Sequence, residues 1–175
     1  MPDDYQYDLG VTEGLDAEAI GQPGQRRFRV LVSGPGGAAT IWIEKEQLHS
    51  LATSLERLVG IVERERRAGS LRIPAETTPS STGGLAASLD FQSGNWSLGY
   101  DERAGIIEFQ AFDVEEDDDE VAKVRFSATL DQGRGLSEKA FELYGAGRPT
   151  CPLCDAPLND GEQHNCPRAN GHARV

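Results

Sequence analysis

The chain has 175 residues, which is enough for one domain with its own core and an appended segment. Its formal net charge is −12. Its 29 acidic residues against 17 basic ones repel phosphate backbones and anionic bilayers, so nucleic acid is a disfavoured partner. No run approaches the roughly 20 apolar residues that span a bilayer. The acidic N-terminus also lacks the basic flank and apolar core of a signal peptide. We therefore expect a cytoplasmic protein without a membrane segment.

The first part of the chain contains two predicted strands. Residues 1–20 show no clean hydrophobic period, and no element is assigned to them. From residue 27 to 33 apolar and polar side chains alternate, which is typical of a half-buried strand. Residues 40–43 are β-branched and aromatic, and the Gly-Pro-Gly-Gly sequence at 34–37 turns the chain before them. This pattern predicts a hairpin whose loop is longer than two residues.

After the hairpin the hydrophobic period changes from two to 3.6. Apolar residues spaced three and four apart predict one face of an amphipathic helix: Leu48, Leu51, Leu55, Leu58 and Val62. We expect this helix to end at Gly69. Residues 69–88 are rich in Ser, Thr, Pro and Gly, a composition typical of a flexible insertion.

The second half of the chain predicts three more strands and a helix. Segments 96–100 and 106–114 alternate and are joined by a loop suited to a hairpin. Residues 115–120 are all acidic, which predicts a solvated loop. A strand at 121–127 and a helix at about 135–144 follow; glycines at the start of that helix weaken it.

These elements predict an α+β domain over residues 1–148. The order ββα followed by βββα favours an antiparallel or mixed sheet with both helices packed on one face. Strands followed by a helix occur twice, a faint internal echo. Residues 149–175 form a separate tail, which contains every cysteine of the chain.

The tail carries the strongest chemical pattern in the sequence. Cys151 and Cys154 form a C-x-x-C pair, and His164 and Cys166 follow after nine intervening residues. Two thiolates in a C-x-x-C turn converge on one zinc ion, which takes four sulfur or nitrogen ligands in a tetrahedron. The spacing predicts a zinc knuckle with these four ligands, and His172 is the alternative to His164 as the fourth.

The spacing of the cysteines also allows two other chemistries in the tail, a redox pair and a catalytic zinc site. A redox pair needs its second cysteine inside a helix whose N-terminus lowers the pKa of the first. The turn formers at Pro157 and at Asn159, Asp160 and Gly161 argue against a helix there. A catalytic zinc keeps one coordination position open, whereas four protein ligands are available here. We expect a closed structural site and assign no catalytic residue.

A competing hypothesis concerns the segments 21–27 and 44–47. Polar residues cluster there beside predicted strand ends, and they could line the pocket of a small-molecule binder or an enzyme: Gln22, Gln25, Arg26, Glu44 and Gln47. The glycines at 34–37 do not form a phosphate-binding loop, because no Lys-Ser or Lys-Thr follows and the next element is a strand.

Four motifs occur along the chain: Gly-Gln-Pro-Gly-Gln-Arg at 21–26, Glu-Lys-Glu-Gln at 44–47, and the two cysteine motifs at 151–154 and 164–171. Together they resemble the actinobacterial domain-of-unknown-function family 3090, whose members are often labelled repeat protein. The resemblance covers most of the chain and implies no established activity. It implies encoding beside kinase-like and histidine-phosphatase-like proteins. We therefore expect a cytoplasmic, non-catalytic interaction or adaptor protein with protein partners.

Overall fold

The computed structural model describes residues 4–22, 24–69, 86–116 and 121–146, and in the tail Cys151, Leu153, Cys154 and Cys166. In chain order the elements are β1 (Tyr5–Val11), β2 (Gly14–Ile20), β3 (Arg27–Gly34), β4 (Gly37–Ile43), α1 (Lys45–Arg67), β5 (Ala87–Asp101), β6 (Ile106–Asp113), β7 (Ala122–Thr129) and α2 (Leu130–Gly145). The predicted α+β class is confirmed. Within the described ranges, neither helix has an apolar stretch long enough to cross a membrane.

The strands form a seven-stranded sheet in the order β1-β7-β6-β5-β4-β3-β2. The β1–β7 and β4–β5 pairs are parallel and the other four are antiparallel, so the sheet is mixed. The faint echo in the sequence corresponds to a structural repeat, because β2, β3, β4 and α1 are followed by β5, β6, β7 and α2 in the same order. Each unit comprises three antiparallel strands and a helix.

The two ends of the sheet meet at a two-residue link. Thr12 and Glu13 join β1 to β2, which lie at opposite ends of the strand order. The Thr12 N–H donates to the Ser127 carbonyl of β7 at 2.7 Å, and the Glu13 N–H donates to the Ser33 carbonyl of β3 at 2.8 Å. The sheet is therefore strongly curved, and its concave side surrounds the helices.

The turn between β3 and β4 contains two residues, Pro35 and Gly36, because Gly34 pairs directly with Gly37. The expectation of a longer loop was wrong. Gly37 has a φ of +132°, which L side chains rarely adopt. A Cβ on Gly36 would overlap the Asp8 carbonyl oxygen of β1. The glycines thus allow both a tight turn and the close passage of β1.

Helix α1 covers the concave side of the sheet with the predicted apolar face. Leu48, Leu51, Leu55 and Val62 are buried, and Leu58 packs partly buried against the same core. The helix begins with a capping box formed by Glu44 and Gln47, which satisfies backbone N–H groups in the first turn.

Helix α2 packs on α1 and begins five residues earlier than predicted. The Thr129 hydroxyl accepts from the Gln132 N–H, and the Gln132 side chain accepts from the Thr129 N–H. This capping box offsets the poor helix propensity of Gly133 and Gly135, which lie inside α2. The Ser137 hydroxyl ties α2 to α1.

Three strand segments gave no usable pattern in the sequence. β1 and β2 lie within residues 1–20, where no element was expected. β5 begins at Ala87, so the predicted insertion 69–88 ends in a strand. Residues 70–85 of that insertion lie outside the described part.

The acidic loop is described as far as Glu116, whose carboxylate accepts hydrogen bonds from Gln6 and Lys123. That contact joins the start of the loop to the sheet.

Candidate metal centre

Three thiols converge in the tail. The Sγ atoms of Cys151, Cys154 and Cys166 all lie within 4.8 Å of one another. Cys151 and Cys166 are 5% and 7% exposed, and Cys154 is half-buried. Twelve positions separate Cys154 from Cys166 in the sequence, so local chain geometry alone does not bring these thiols together. The proximity of Cys166 to the C-x-x-C pair is therefore a tertiary contact.

The backbone of the C-x-x-C turn favours the anionic form of Cys151. The N–H groups of Leu153 and then Cys154 donate to its sulfur, and the Cys166 and Cys154 thiols add smaller contributions. Against the opposing effect of burial, these hydrogen bonds lower the pKa of the Cys151 thiol to about 6. The lowered pKa favours the thiolate of Cys151, and the thiolate is the form that binds metals.

The three sulfur atoms lie close enough together to bind one metal ion. Zinc–sulfur bonds of about 2.3 Å in a tetrahedron place neighbouring sulfurs about 3.8 Å apart. Separations of no more than 4.8 Å are close to that spacing. Soft thiolate donors suit zinc over magnesium or calcium, which prefer oxygen. The two predicted candidates for the fourth ligand, His164 and His172, lie outside the described residues.

The arrangement fits the redox alternative less well. Leu153 and Cys154 lie in a turn, whereas a redox pair places its second cysteine in a helix. Cys166 also approaches both members of the pair, which a two-cysteine redox centre does not require. A third thiol at this distance is what a metal site needs.

The segment 21–27 is held by structural contacts. The Gln25 N–H donates to the Gln22 carbonyl at 2.9 Å and closes a turn. The Arg26 guanidinium donates through Nη1 to the Ala146 carbonyl at 2.7 Å, directly after the end of α2. A cation at that position satisfies a terminal carbonyl and interacts favourably with the helix dipole.

The segment 44–47 is tied to the start of α1. Glu44 and Gln47 form its capping box, and the Gln47 side chain also donates to the Gly94 carbonyl of β5 at 2.9 Å. Of the five polar residues proposed from the sequence, Gln47 is the one that lines the groove between α1 and β5 described below. The five do not gather at that groove.

An open groove of about 530 Å³ lies between α1 and β5. The α1 side carries polar groups above two leucines, and the β5 side carries an aromatic and an aliphatic side chain; the lining residues are Glu46, Gln47, Ser50, Leu51, Ser54, Leu58, Gly94, Asn95, Trp96 and Leu98. Sequence reasoning missed the β5 side. The alternation of Trp96 and Leu98 was visible, but their position opposite α1 depends on the curvature of the sheet.

His49, the one histidine within the described ranges, has a packing role. Its ring lies 4.3 Å from the Tyr144 ring and 5.6 Å from the Phe141 ring, centroid to centroid. Both partners belong to α2, so His49 stabilises the contact between the helices.

The model of a family described as proteins of unknown function, DUF3090, matches residues 7–166. The chain belongs to this family. The match to DUF3090 includes Cys151, Cys154, His164 and Cys166, and it stops before His172. No curated protein matches the chain, and no solved structure does. Membership of DUF3090 therefore places the cysteine cluster inside the family's matched region without assigning an activity to it.

Proposed function

We propose that this protein is a cytoplasmic, non-catalytic interaction protein whose C-terminal tail is closed by one structural zinc ion. The convergence of the three thiols carries the proposal. Structural zinc sites use four cysteine and histidine ligands and leave no coordination position open. Zinc, when bound, would cross-link the tail and so stabilise its folded form, although the tail is rich in turn-forming residues.

His164 is the proposed fourth ligand. It lies two residues before Cys166 and within the family match, whereas His172 lies six residues after Cys166 and beyond the match. With either histidine the site has three thiolates and one imidazole. The N–H groups that donate to Cys151 would support its thiolate in the bound state, as hydrogen bonds around metal-bound sulfur commonly do.

Metal content tests the zinc proposal directly. The full chain, purified without chelators, is expected to carry about one zinc per chain, and less than about 0.2 would contradict the proposal. Cys154→Ser and Cys166→Ser should each lose the metal. The chain has three histidines, so a matched series is available: His164→Ala should lose metal, while His172→Ala and the packing control His49→Ala should retain it. Loss in His172→Ala alone would reassign the fourth ligand.

The interaction role is supported by the groove between α1 and β5, which offers a concave surface of mixed polarity. The net charge of −12 favours protein partners over nucleic acid. Affinity capture from the native cytoplasm with the wild type and with Cys151→Ser tests this role. We expect a reproducible protein partner at defined stoichiometry. Capture no different from an unrelated acidic bait would contradict the interaction role.

A small-molecule pocket is the second candidate function. The observation in its favour is that Glu46 and Gln47, at the start of α1, line the groove. A small ligand retained by the purified protein and released on denaturation, identified by mass spectrometry, would favour this candidate over a protein partner.

A further inference from the structure

β5 has an open edge along its second half. Its first part, from Ala87 to Gln92, pairs with β4. Its second part, from Ser93 to Asp101, pairs with β6. β4 ends at Ile43, where the chain turns into α1. Beyond Gln92, no other strand of the described ranges pairs with the side of β5 opposite β6.

The backbone groups on this edge can be assigned from one hydrogen bond. The Trp96 N–H donates to the Asn95 side-chain oxygen at 2.9 Å, so it does not pair with Ala111, its neighbour on β6. Peptide groups in an antiparallel ladder alternate between the two sides of the strand. The N–H and C=O groups of Leu98 and Tyr100 therefore point to the open edge as well.

The groove runs along this same edge. Helix α1 forms its other wall, and the Gln47 side chain donates to the Gly94 carbonyl at the point where the register between β5 and β6 shifts. A groove between a helix and a free strand edge accepts an extended peptide as an additional strand, with main-chain hydrogen bonds for affinity and side-chain subsites for specificity. Leu58, Trp96 and Leu98 line the groove and are only partly buried, so they provide apolar surface for alternate side chains of such a peptide.

We propose that the groove binds an extended peptide segment of a partner protein by strand addition to β5, with a basic side chain of the peptide opposite Glu46. Glu46 is the one charged side chain among the residues lining the groove. The net charge of −12 also favours a basic segment. A second copy of this chain is a poorer occupant, because it would bring an equal negative charge to the edge. The inference rests on the proposed interaction role and is independent of zinc.

Hydrogen exchange of individual amides, followed by NMR on the full chain, provides the test. The probes are acetylated, amidated heptapeptides that alternate valine with lysine, the same peptides with glutamate for lysine, and the lysine peptides N-methylated at alternate backbone nitrogens. The lysine probe is expected to slow exchange at Leu98 and Tyr100 at least about tenfold at saturation. The N-methylated probe should not, because it cannot complete the ladder.

Two substitutions on α1 form a matched pair. Glu46→Lys should weaken binding of the lysine probe roughly fivefold and remove the preference over the glutamate probe. Glu56→Lys makes the same charge change at an exposed position of α1 that does not line the groove, and it should leave binding unchanged. Ser54→Trp fills the groove and should abolish protection of the β5 amides.

Four results would overturn the inference. The Leu98 and Tyr100 amides could be as protected in the free chain as the amide of Phe109 in β6, a strand that is paired on both sides. If that protection is independent of protein concentration, this chain covers its own edge. If it depends on concentration, a second copy covers it. The N-methylated probe could bind as well as its parent. The lysine probe could leave both amides unprotected. A partner captured equally by wild type and Ser54→Trp would preserve the interaction role but reject this groove as its binding site. Loss of metal from the tail should change neither the hydrogen exchange of the β5 amides nor this comparison of captured partners.

Discussion

Gly133 of α2 lies directly against Ile107 of β6, so closely that a Cβ at position 133 would overlap the Ile107 Cδ1 atom. Ile107 is completely buried, so its side chain has little room to move aside. The absence of a side chain at Gly133 therefore sets how closely α2 approaches the sheet. Gly135, two residues further along the same helix, has no neighbouring atom within 4 Å of a built Cβ.

These two glycines should respond oppositely to alanine. Gly133→Ala is expected to lower the free energy of unfolding by about 1 kcal/mol, because overpacking outweighs the gain in helix propensity. Gly135→Ala should raise it by about 0.5–1 kcal/mol, because there the propensity gain acts alone. Urea unfolding of both variants beside the wild type measures the difference. Equal shifts of the same sign would contradict the packing at Gly133.

The turn between β5 and β6 should make the free energy of unfolding depend on pH through Asp101. The Asp101 carboxylate accepts from the N–H groups of Ala104 at 3.0 Å and Arg103 at 2.8 Å, which lowers its pKa below the ordinary 3.8. The folded-state pKa is depressed, so the stabilisation is present above the unfolded-state pKa and is lost as pH falls through the folded-state value. Asp101→Ala should cost about 0.5 kcal/mol at pH 7, and this difference should shrink below pH 3.8.

Asp101→Asn is the control for that experiment. Its amide oxygen can still accept the two N–H bonds, but it does not titrate, so the contribution of the turn should no longer depend on pH. Unfolding free energies at pH 7 and pH 3 for the three proteins provide the comparison. A loss in Asp101→Ala that stays constant between the two pH values would contradict the role of the charge.

Removing the proposed zinc ion should affect the tail and leave the domain folded. The main hydrophobic core extends from Leu9 to Ala140 and includes none of the three cysteines. A chelator is therefore expected to open the chain to protease after Ala146, while the far-ultraviolet circular dichroism and the cooperative thermal transition persist. Global unfolding on chelation would show that the tail supports the domain.

Arg26 is predicted to stabilise α2. Arg26→Ala removes the donor to the Ala146 carbonyl and should lower the free energy of unfolding by about 1 kcal/mol. Arg57→Ala, at an exposed position of α1, should change stability by less than about 0.5 kcal/mol. Thermal or urea unfolding separates them. If Arg26→Ala were as neutral as Arg57→Ala, the cap would contribute nothing and residues 21–27 would need another role.

The elements that could be predicted from the sequence are those whose own residues show a regular hydrophobic period. Helix α1 was predicted because its leucines recur every three or four residues and all face the core. β1 and β2 were missed because Leu9 and Ala17 are their fully buried apolar residues, too few to produce an alternating pattern. The start of α2 did have a signal, the Thr-x-x-Gln capping box at 129–132, which the glycines at 133 and 135 obscured.

The sequence by itself determined the α+β class, the face of α1 and the cysteine spacing, because each depends on residues close together in the chain. Tertiary structure alone decided that the sheet curves until β1 and β2 meet, and that α1 lies beside the open edge of β5. Both follow from long-range strand pairing, which no local pattern encodes. Tertiary structure also decided that Cys166 lies beside Cys151 and Cys154, because it is at least twelve positions from either of them in the sequence.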